Sequence, residues 1–474
     1  MEQESGSFRR SLGLLDGILL VSGVMIGSGI FLVSAEISRT VGSAGLMMLV
    51  WVIGGLMTIA AAVSYGELSG MFPRAGGQYV YLREAFNPLI GFLFGWSFFA
   101  VIETGTIAAV AVAFAKYAAF IYPSLGEEHK ILTLGSFSIS VAQVIAIGLV
   151  LLLSYINTRG IQSGKWIQAI FTTAKILSLV ILILFGFLIG AKAGIWHSNW
   201  MNAWSGFHYQ GMGNKVPLHG LELVAFIGVA MVGSLFSSDA WNSVTFIAAE
   251  IRRPERNIGL SLLFGTLIVT VIYILCNLVY LAVLPMHSIA TAPADRVAAS
   301  ASLFIFGKGG ALLIALMIMV STFGCVNGLV LSGARVYYTM ACDGLFFKKT
   351  SRLNGKGVPA YGIWIQCAWA AILCFSGKYN DLLTYVIFVV LIFYALTIAG
   401  IFRLRRFKPD IPRPYKAFGY PWIPGIYILF ASAICVSLFI FKPANTWPGL
   451  VIVLLGIPLY YFLRRSHKPA ETIT

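Results

Sequence analysis

Charged residues make up only 11% of this 474-residue chain, less than half of the ~25% usual for a soluble globular protein. So little charge excludes a soluble enzyme and a disordered chain alike. The six cysteines (Cys276, Cys325, Cys342, Cys367, Cys374 and Cys435) have no paired metal spacing, and five of them fall in apolar runs. They read as small hydrophobes rather than disulfide partners or ligands. Asn-x-Ser/Thr sequons are absent, as are a His-Glu-x-x-His run, a phosphate-binding loop and a nucleophile elbow. No catalytic residue, metal ligand or cofactor is therefore expected. Nor is there a polar stretch long enough for a soluble domain. The largest is 191–220, where Trp196, Trp200 and Trp204 suit a membrane–water interface.

What the chain has instead is apolar length, with 58% hydrophobic residues before its 49 glycines are added. A bilayer core takes about 20 apolar residues per helix. Twelve runs qualify: 12–36, 45–70, 88–121, 137–156, 164–190, 222–250, 258–284, 303–340, 360–376, 381–402, 422–441 and 446–463. The first is too long for a signal peptide, although Arg9 and Arg10 precede it. With twelve spans both termini share one side. That side then carries 23 of the 33 Lys and Arg, and the other carries nine. Positive charge gathers on the cytoplasmic side, so both termini are expected in the cytoplasm. The net charge of +15 is thereby explained without nucleic acid. The carboxylates Asp16, Glu67 and Glu250 lie near span ends and are expected at the cytoplasmic surface.

Two spans look unable to satisfy their own backbone throughout. The first holds Gly23, Gly27 and Gly29 within seven residues, each weakening a helix by ~1 kcal/mol relative to alanine. The sixth holds Gly233-Ser234-Leu235-Phe236-Ser237-Ser238-Asp239-Ala240-Trp241-Asn242, and Ser, Asp and Asn favour caps over helix interiors. Interrupted helices at corresponding places in two halves point to a transporter's midplane site. A half-helix start presents free N–H groups to an anion, and a half-helix end presents C=O groups to an ammonium. An amino acid zwitterion suits both. Gly23 and Gly27 also fit a small-residue packing face, and Ser237, Ser238 and Asp239 also fit an N-cap.

Lys175 lies ten residues past Lys165, ~15 Å along a helix and near mid-bilayer. It is expected to serve as a fixed charge at the site or as a proton carrier, unless it reaches the interface. Glu103 and Asp239 are the other deep carboxylates; Glu103 is expected to line a polar cavity or to pair with another helix, and Ser321 is a second candidate cavity-lining residue. Ser321, Thr322 and Asn327 are polar within the eighth span. They suit interhelical hydrogen bonds, with a cation site as the alternative.

The motifs GVMIGSGIF (Gly23–Phe31), the stretch from Tyr65 to Trp96, EIRRPERN (Glu250–Asn257), ARVYYTMACDG (Ala334–Gly344) and FKPDIPRPY (Phe407–Tyr415) together resemble the amino acid–polyamine–organocation superfamily of permeases. The likeness is greatest to its L-type amino acid transporter branch. The resemblance implies an all-α polytopic membrane protein of twelve helices. Its core would be a five-plus-five inverted repeat with helices 1 and 6 broken. The chain would be a single transporter domain: 1–11 as a cytoplasmic N-terminus, 12–402 as the ten-helix core, 422–463 as two further helices and 464–474 as a cytoplasmic C-terminus. It implies that the backbone of Ile26, Gly27, Ser28 and Gly29 holds the substrate carboxylate. The carbonyls of Met25 and Phe236, with the position of Asp239, would hold the ammonium. Phe236 would gate, Asn242 would help to shape the site, and Lys175 would stand where sodium-coupled relatives place a cation.

The function so implied is sodium-independent exchange of neutral L-amino acids by alternating access across the cell membrane. A proton-coupled amino acid or polyamine symporter is the alternative, with Lys175, Glu103 or Asp239 carrying the proton. The loop 122–135 contains no cysteine, so the disulfide-linked heavy subunit of eukaryotic L-type members is not expected. The partners are then the amino acid and the lipid bilayer. Asp239 stands where several animal members have glycine, which disfavours a very bulky substrate side chain at that wall.

Overall fold

Long apolar runs fold as helices in lipid because a helix satisfies its backbone within itself. The computed structural model describes residues 10–134, 137–210, 214–375 and 379–466. The terminal segments 1–9 and 467–474, with Arg9 and Lys468, lie outside the described residues, as do Gly135 and Lys378. The first apolar run is two helices, α1 (Leu14–Met25) and α2 (Gly29–Val41), bent by 41° at the break between them. There follow α3 (Ala44–Met71), a short α4 (Gln78–Ala85), and α5 (Pro88–Ser97) running through a π turn into α6 (Glu103–Ile121). A hairpin, β1 (Lys130–Leu134) and β2 (Phe137–Ser140), leads to α7 (Val141–Thr158) and α8 (Ile161–Phe185), which a π turn carries on to Gly190.

The outer polar stretch folds as α9 (Ala193–Met201) and a second antiparallel hairpin, β3 (Phe207–Gln210) with β4 (Asn214–Pro217). The sixth run is α10 (Gly220–Ser237), a break, and the single turn α11 (Ser243–Phe246). Then come α12 (Pro254–Val283), the short α13 (Met286–Ala290), α14 (Val297–Cys342), α15 (Ala360–Leu373), α16 (Tyr379–Phe407), α17 (Trp422–Phe441) and α18 (Pro443–Ser466).

Ten described helices are long and apolar enough to cross a membrane, and the bent pair α1–α2 makes an eleventh crossing. The chain is a multi-pass, all-α membrane protein. The remaining run, α15, is 14 residues long, ~21 Å at 1.5 Å per residue against a ~30 Å hydrocarbon core. Length thus accounts for eleven crossings. Two boundaries differ from the apolar runs. The fourth run begins as strand β2, because Ser140 and Gln143 form a reciprocal cap that starts α7 at Val141: the Gln143 N–H donates to Ser140 Oγ at 3.3 Å, and the Ser140 N–H donates to Gln143 Oε1 at 2.9 Å. The second part of the sixth run is one turn of helix plus a short 3₁₀ turn at Ala248–Glu250, rather than a half-helix. Among the described residues all six cysteines are free, and only Cys342 is exposed.

Glu67 and Glu250 are not at the surface. Glu67 is fully buried and takes Arg405 at 2.9 and 2.6 Å, Arg413 at 3.4 Å and the Ala417 N–H at 2.7 Å. Glu250 is buried against Arg335, whose Nε donates to Oε1 at 3.0 Å. Both carboxylates do lie at span ends, but basic side chains from distant segments fold over them. Asp16 remains half-exposed and accepts the Gly13 N–H at 2.8 Å.

The candidate substrate site

The first break is a helix end whose carbonyls have all found side-chain donors. An α-helix leaves its last four C=O groups without intrahelical partners. The chain turns at Ile26, whose N–H still donates to Ser22 O at 3.0 Å, while the Gly27 N–H folds back to Met25 O at 2.8 Å. Lys175 of α8 donates from Nζ to Gly23 O at 2.5 Å, to Ile26 O at 2.8 Å and to Ser321 O at 3.1 Å. Cys325 Sγ of α14 donates to Val24 O at 2.9 Å, and Ser321 Oγ donates to Ile26 O at 3.1 Å. The Tyr273 hydroxyl of α12 lies 2.9 Å from Met25 O. Carbonyls 23 to 26 thus hold four side chains drawn from three helices. A lysine ammonium at a helix C-terminus also meets the negative end of the helix dipole.

The second break faces the first. Tyr273 OH lies 2.9 Å from Ser237 O as well as from Met25 O, so its one proton serves the two helix ends in turn. At the end of α10 the Ser238 and Asp239 N–H groups turn back to Ser234 O and Phe236 O, both at 3.1 Å. Ala240 then takes φ +61°, a left-handed conformation that costs a non-glycine residue ~1–3 kcal/mol. α2 starts afresh at Gly29, and by the same count its first N–H groups have no acceptor within the helix; the Phe31 N–H returns to Ser28 O at 3.2 Å. Ser28 is buried at the cap position.

Glycine at position 29 is what lets the breaks touch. A Cβ there would lie 2.7 Å from Ser237 Cα, and backbone cannot swing aside as a side-chain tip can. Gly29→Ala is therefore expected to push α2 from α10 and to lower stability by ~1–3 kcal/mol, the usual cost of overpacking. Thermal melting of the purified variant checks this, and an unchanged melting temperature would show that the two breaks separate at no cost.

Of the residues singled out from sequence, Met25, Ile26, Gly27, Ser28 and Gly29 form the first break and Phe236, Asp239 and Asn242 the second; Lys175 and Ser321 join the first directly. Phe236 is buried one turn beyond Gly233, which lines a cleft with Glu36, Thr384 and Lys442. Asp239 does not cap α11, whose cap position is Asn242 with no side-chain bond. Asp239 Oδ1 instead accepts the Tyr394 hydroxyl at 2.7 Å. Asn242 Nδ2 donates to Gln78 Oε1 at 2.9 Å, and Gln78 Nε2 donates to Thr397 Oγ1 at 3.0 Å. Asn327 Oδ1 accepts from Asn157 of α7 at 2.9 Å, an interhelical bond, while Thr322 bonds its own helix backbone.

Glu103 lines one hollow with Asp239, Asn242, Ser243, Gln78 and Tyr394, and this hollow has room for about one water molecule. A second hollow of that size also touches Asp239, against Thr58 and Tyr427. Neither takes an amino acid, so occupancy requires the helices around the breaks to part. Tyr273, Cys325 and Tyr394 were not singled out from sequence. Nothing marks one tyrosine among 20 as the one that reaches a broken helix.

The chain is similar to known proteins along nearly its whole length. The sequence profile of a family described as amino acid permease matches residues 12–461. The chain is similar to the b(0,+)-type amino acid transporter 1 of Mus musculus, 28% identical over 474 residues that cover 98% of this chain and 90% of that one. The Rattus norvegicus protein of the same name is 29% identical over 476 residues, with the same coverage. Large neutral amino acids transporter small subunit 2 of Homo sapiens is 28% identical over 470 residues, covering 98% of this chain and 82% of that protein.

Proposed function

The chain belongs to the amino acid permease family, and on that premise we propose that it exchanges neutral L-amino acids across the cell membrane by alternating access, without sodium. It is a transporter and not an enzyme. The observation that carries the reading is the pair of facing helix breaks joined at Gly29–Ser237 and through Tyr273. One break offers the N–H groups of a new helix start to a carboxylate. The ends of α1 and α10 offer carbonyls to an ammonium, which would take over acceptors that Tyr273 now occupies. The backbone of Ile26, Gly27, Ser28 and Gly29 is the proposed carboxylate cradle, for which the Ile26 and Gly27 N–H groups would leave Ser22 O and Met25 O, and Met25, Phe236 and Asp239 are the ammonium side. Phe236, between the cleft and the breaks, is the proposed outer gate, and Asn242 supports the wall through Gln78.

Sodium independence rests on Lys175. Its ammonium already fills the space between Gly23 O, Ile26 O and Ser321 O, so a metal cation there would have to displace it. Two similar proteins carry the names of amino acid transporters, in keeping with the substrate class. The proposed topology has twelve crossings, with residues 12–402 as the inverted-repeat core, 422–463 as two further helices and both termini in the cytoplasm. The face that carries Arg335, Arg405 and Arg413 is then cytoplasmic. A disulfide-linked subunit is not part of the proposal.

Purified protein in liposomes tests the function. Uptake of labelled L-alanine is expected to be at least tenfold faster into vesicles preloaded with unlabelled L-alanine than into empty ones, and to be the same in sodium and choline buffers. Equal uptake in loaded and empty vesicles would reject exchange. No uptake of any amino acid would reject the substrate class.

A further inference from the structure

The water-sized hollow beside the second break holds two acids and no base. Its polar walls are Gln78, Glu103, Asp239, Asn242, Ser243 and Tyr394. Asp239 has a donor in Tyr394 at 2.7 Å. Glu103 Oε1 has none: it is buried without a partner among the described residues, in a side chain 3% exposed. Ser243 Oγ is likewise buried and unpartnered. Ionised carboxylates at membrane depth cost several kcal/mol each unless something neutralises them. Two that share one small cavity repel each other besides.

The other charged and titratable groups around Glu103 do not supply that neutralisation. From α14 come Tyr337 and Cys325, both within range of its charge, and from α16 comes Tyr394. From α15 comes the neutral Gln366. A Cβ on Gly333 would meet Gln366 Oε1 at 2.6 Å and Glu103 Oε1 at 2.7 Å, so both oxygens point at one spot on α14. The buried side chains of α7 add only neutral Ser154 and Asn157. Lys175 is spent on the carbonyls of the first break, and Arg335 on Glu250.

We propose that Glu103 is a proton-binding site, and that the protein takes up one proton on Glu103 as it closes around its amino acid. Asp239 stays ionised on its Tyr394 hydrogen bond, and Glu103, which has no donor, holds the proton. When the helices part to admit substrate, water enters the hollow and the carboxyl can ionise. Closure shrinks the hollow to room for about one water molecule and draws the proton back. Substrate binding and proton binding then favour each other, which goes beyond the exchange reading above.

The experiment has two arms. The first needs no ligand. Infrared spectra of the purified protein at pH 7 are expected to show a protonated-carboxyl C=O band that E103Q removes and D239N keeps. A wild-type spectrum without that band, or an E103Q spectrum that retains it, overturns the proposal. The second arm rests on the exchange reading and measures L-alanine binding from pH 6 to 9. Uptake of one proton makes Kd rise with pH, by up to tenfold per unit above the pKa of the open state, and E103Q is expected to flatten that rise. A flat wild-type profile overturns the linkage, as does a Kd that falls with added sodium or potassium at fixed pH. Absence of L-alanine binding at every pH counts against the substrate class instead, and leaves the infrared arm to decide the site.

Discussion

Lys175→Ala is expected to abolish exchange, to about one-hundredth of the wild-type rate or less, in protein that still inserts and folds. The ammonium is the donor for Gly23 O and Ile26 O, two of the four carbonyls at the first break, and ties both to Ser321 O of α14. Of these, Ile26 O keeps a donor in Ser321 Oγ at 3.1 Å. Gly23 O loses its own, because the Gly27 N–H that would serve it in a continuous helix has turned to Met25 O. A buried acceptor left without a partner costs ~1–3 kcal/mol, and a hydrogen bond from a charged donor contributes ~1.5–3 kcal/mol. About 3 kcal/mol of distortion in the site is about 100-fold at 1.4 kcal/mol per decade. Lys175→Met separates the causes. It keeps an apolar stem of similar length but no donor, and is expected to be as impaired as alanine. Exchange in liposomes with melting temperatures alongside checks both variants. Activity near wild type in either would mean that the break holds its shape without the lysine.

The breaks themselves were legible because they are written in local chemistry. Three glycines in seven residues, and a Ser-Ser-Asp run inside an apolar span, are poor helix whatever surrounds them. Lys175 was legible for a related reason, since a lysine ten residues inside an apolar run has few physical excuses. What satisfies the breaks was not legible. Tyr273 lies 248 residues from Met25, Cys325 lies 301 from Val24, and Tyr394 lies 155 from Asp239. Each sits in an apolar run as an ordinary core residue would, and only tertiary packing gives it an acceptor.

The same holds for the span-end carboxylates. Position along a helix places Glu67 and Glu250 at the membrane boundary, but burial there depends on where Arg405, Arg413 and Arg335 return, 338, 346 and 85 residues later. Strand β2 and the single-turn α11 depart from the sequence reading in the opposite direction. The fourth and sixth apolar runs extend through them, so hydropathy alone runs the helix on, while the cap at Ser140 and the left-handed Ala240 interrupt it.

Arg335→Met is expected to lower stability by ~3–5 kcal/mol, the cost of leaving one partner of a buried ion pair uncompensated. Both side chains are essentially inaccessible, at 0% and 1% exposure. Arg335 also donates to Leu331 O of its own helix. The acid it holds belongs to the turn that follows the second break. That turn in turn holds the start of the chain: the Ser11 and Leu12 N–H groups both donate to Glu250 O at 3.0 Å, and the Arg252 N–H donates to Leu12 O at 2.8 Å. One ion pair therefore joins α14, the far side of the broken span and the segment before α1, on the face proposed as cytoplasmic. A change of this size also approaches the ~5.5 kcal/mol that would carry a two-state equilibrium from 1:99 to 99:1. The variant should accordingly lose exchange as well as stability, because closure of the face proposed as cytoplasmic is no longer favoured.

Arg335→Met combined with Glu250→Leu distinguishes the two effects. With both charges gone no ion is left buried, and replacing a buried pair by apolar side chains is often neutral for stability. Most of the lost melting temperature is expected to return in the double variant, while exchange stays at least tenfold below wild type, since the ion pair between α14 and the broken span is gone. A double variant as unstable as the single would show that Arg335 acts through its packing rather than through Glu250. One that recovers both stability and exchange would remove the pair from the transport cycle.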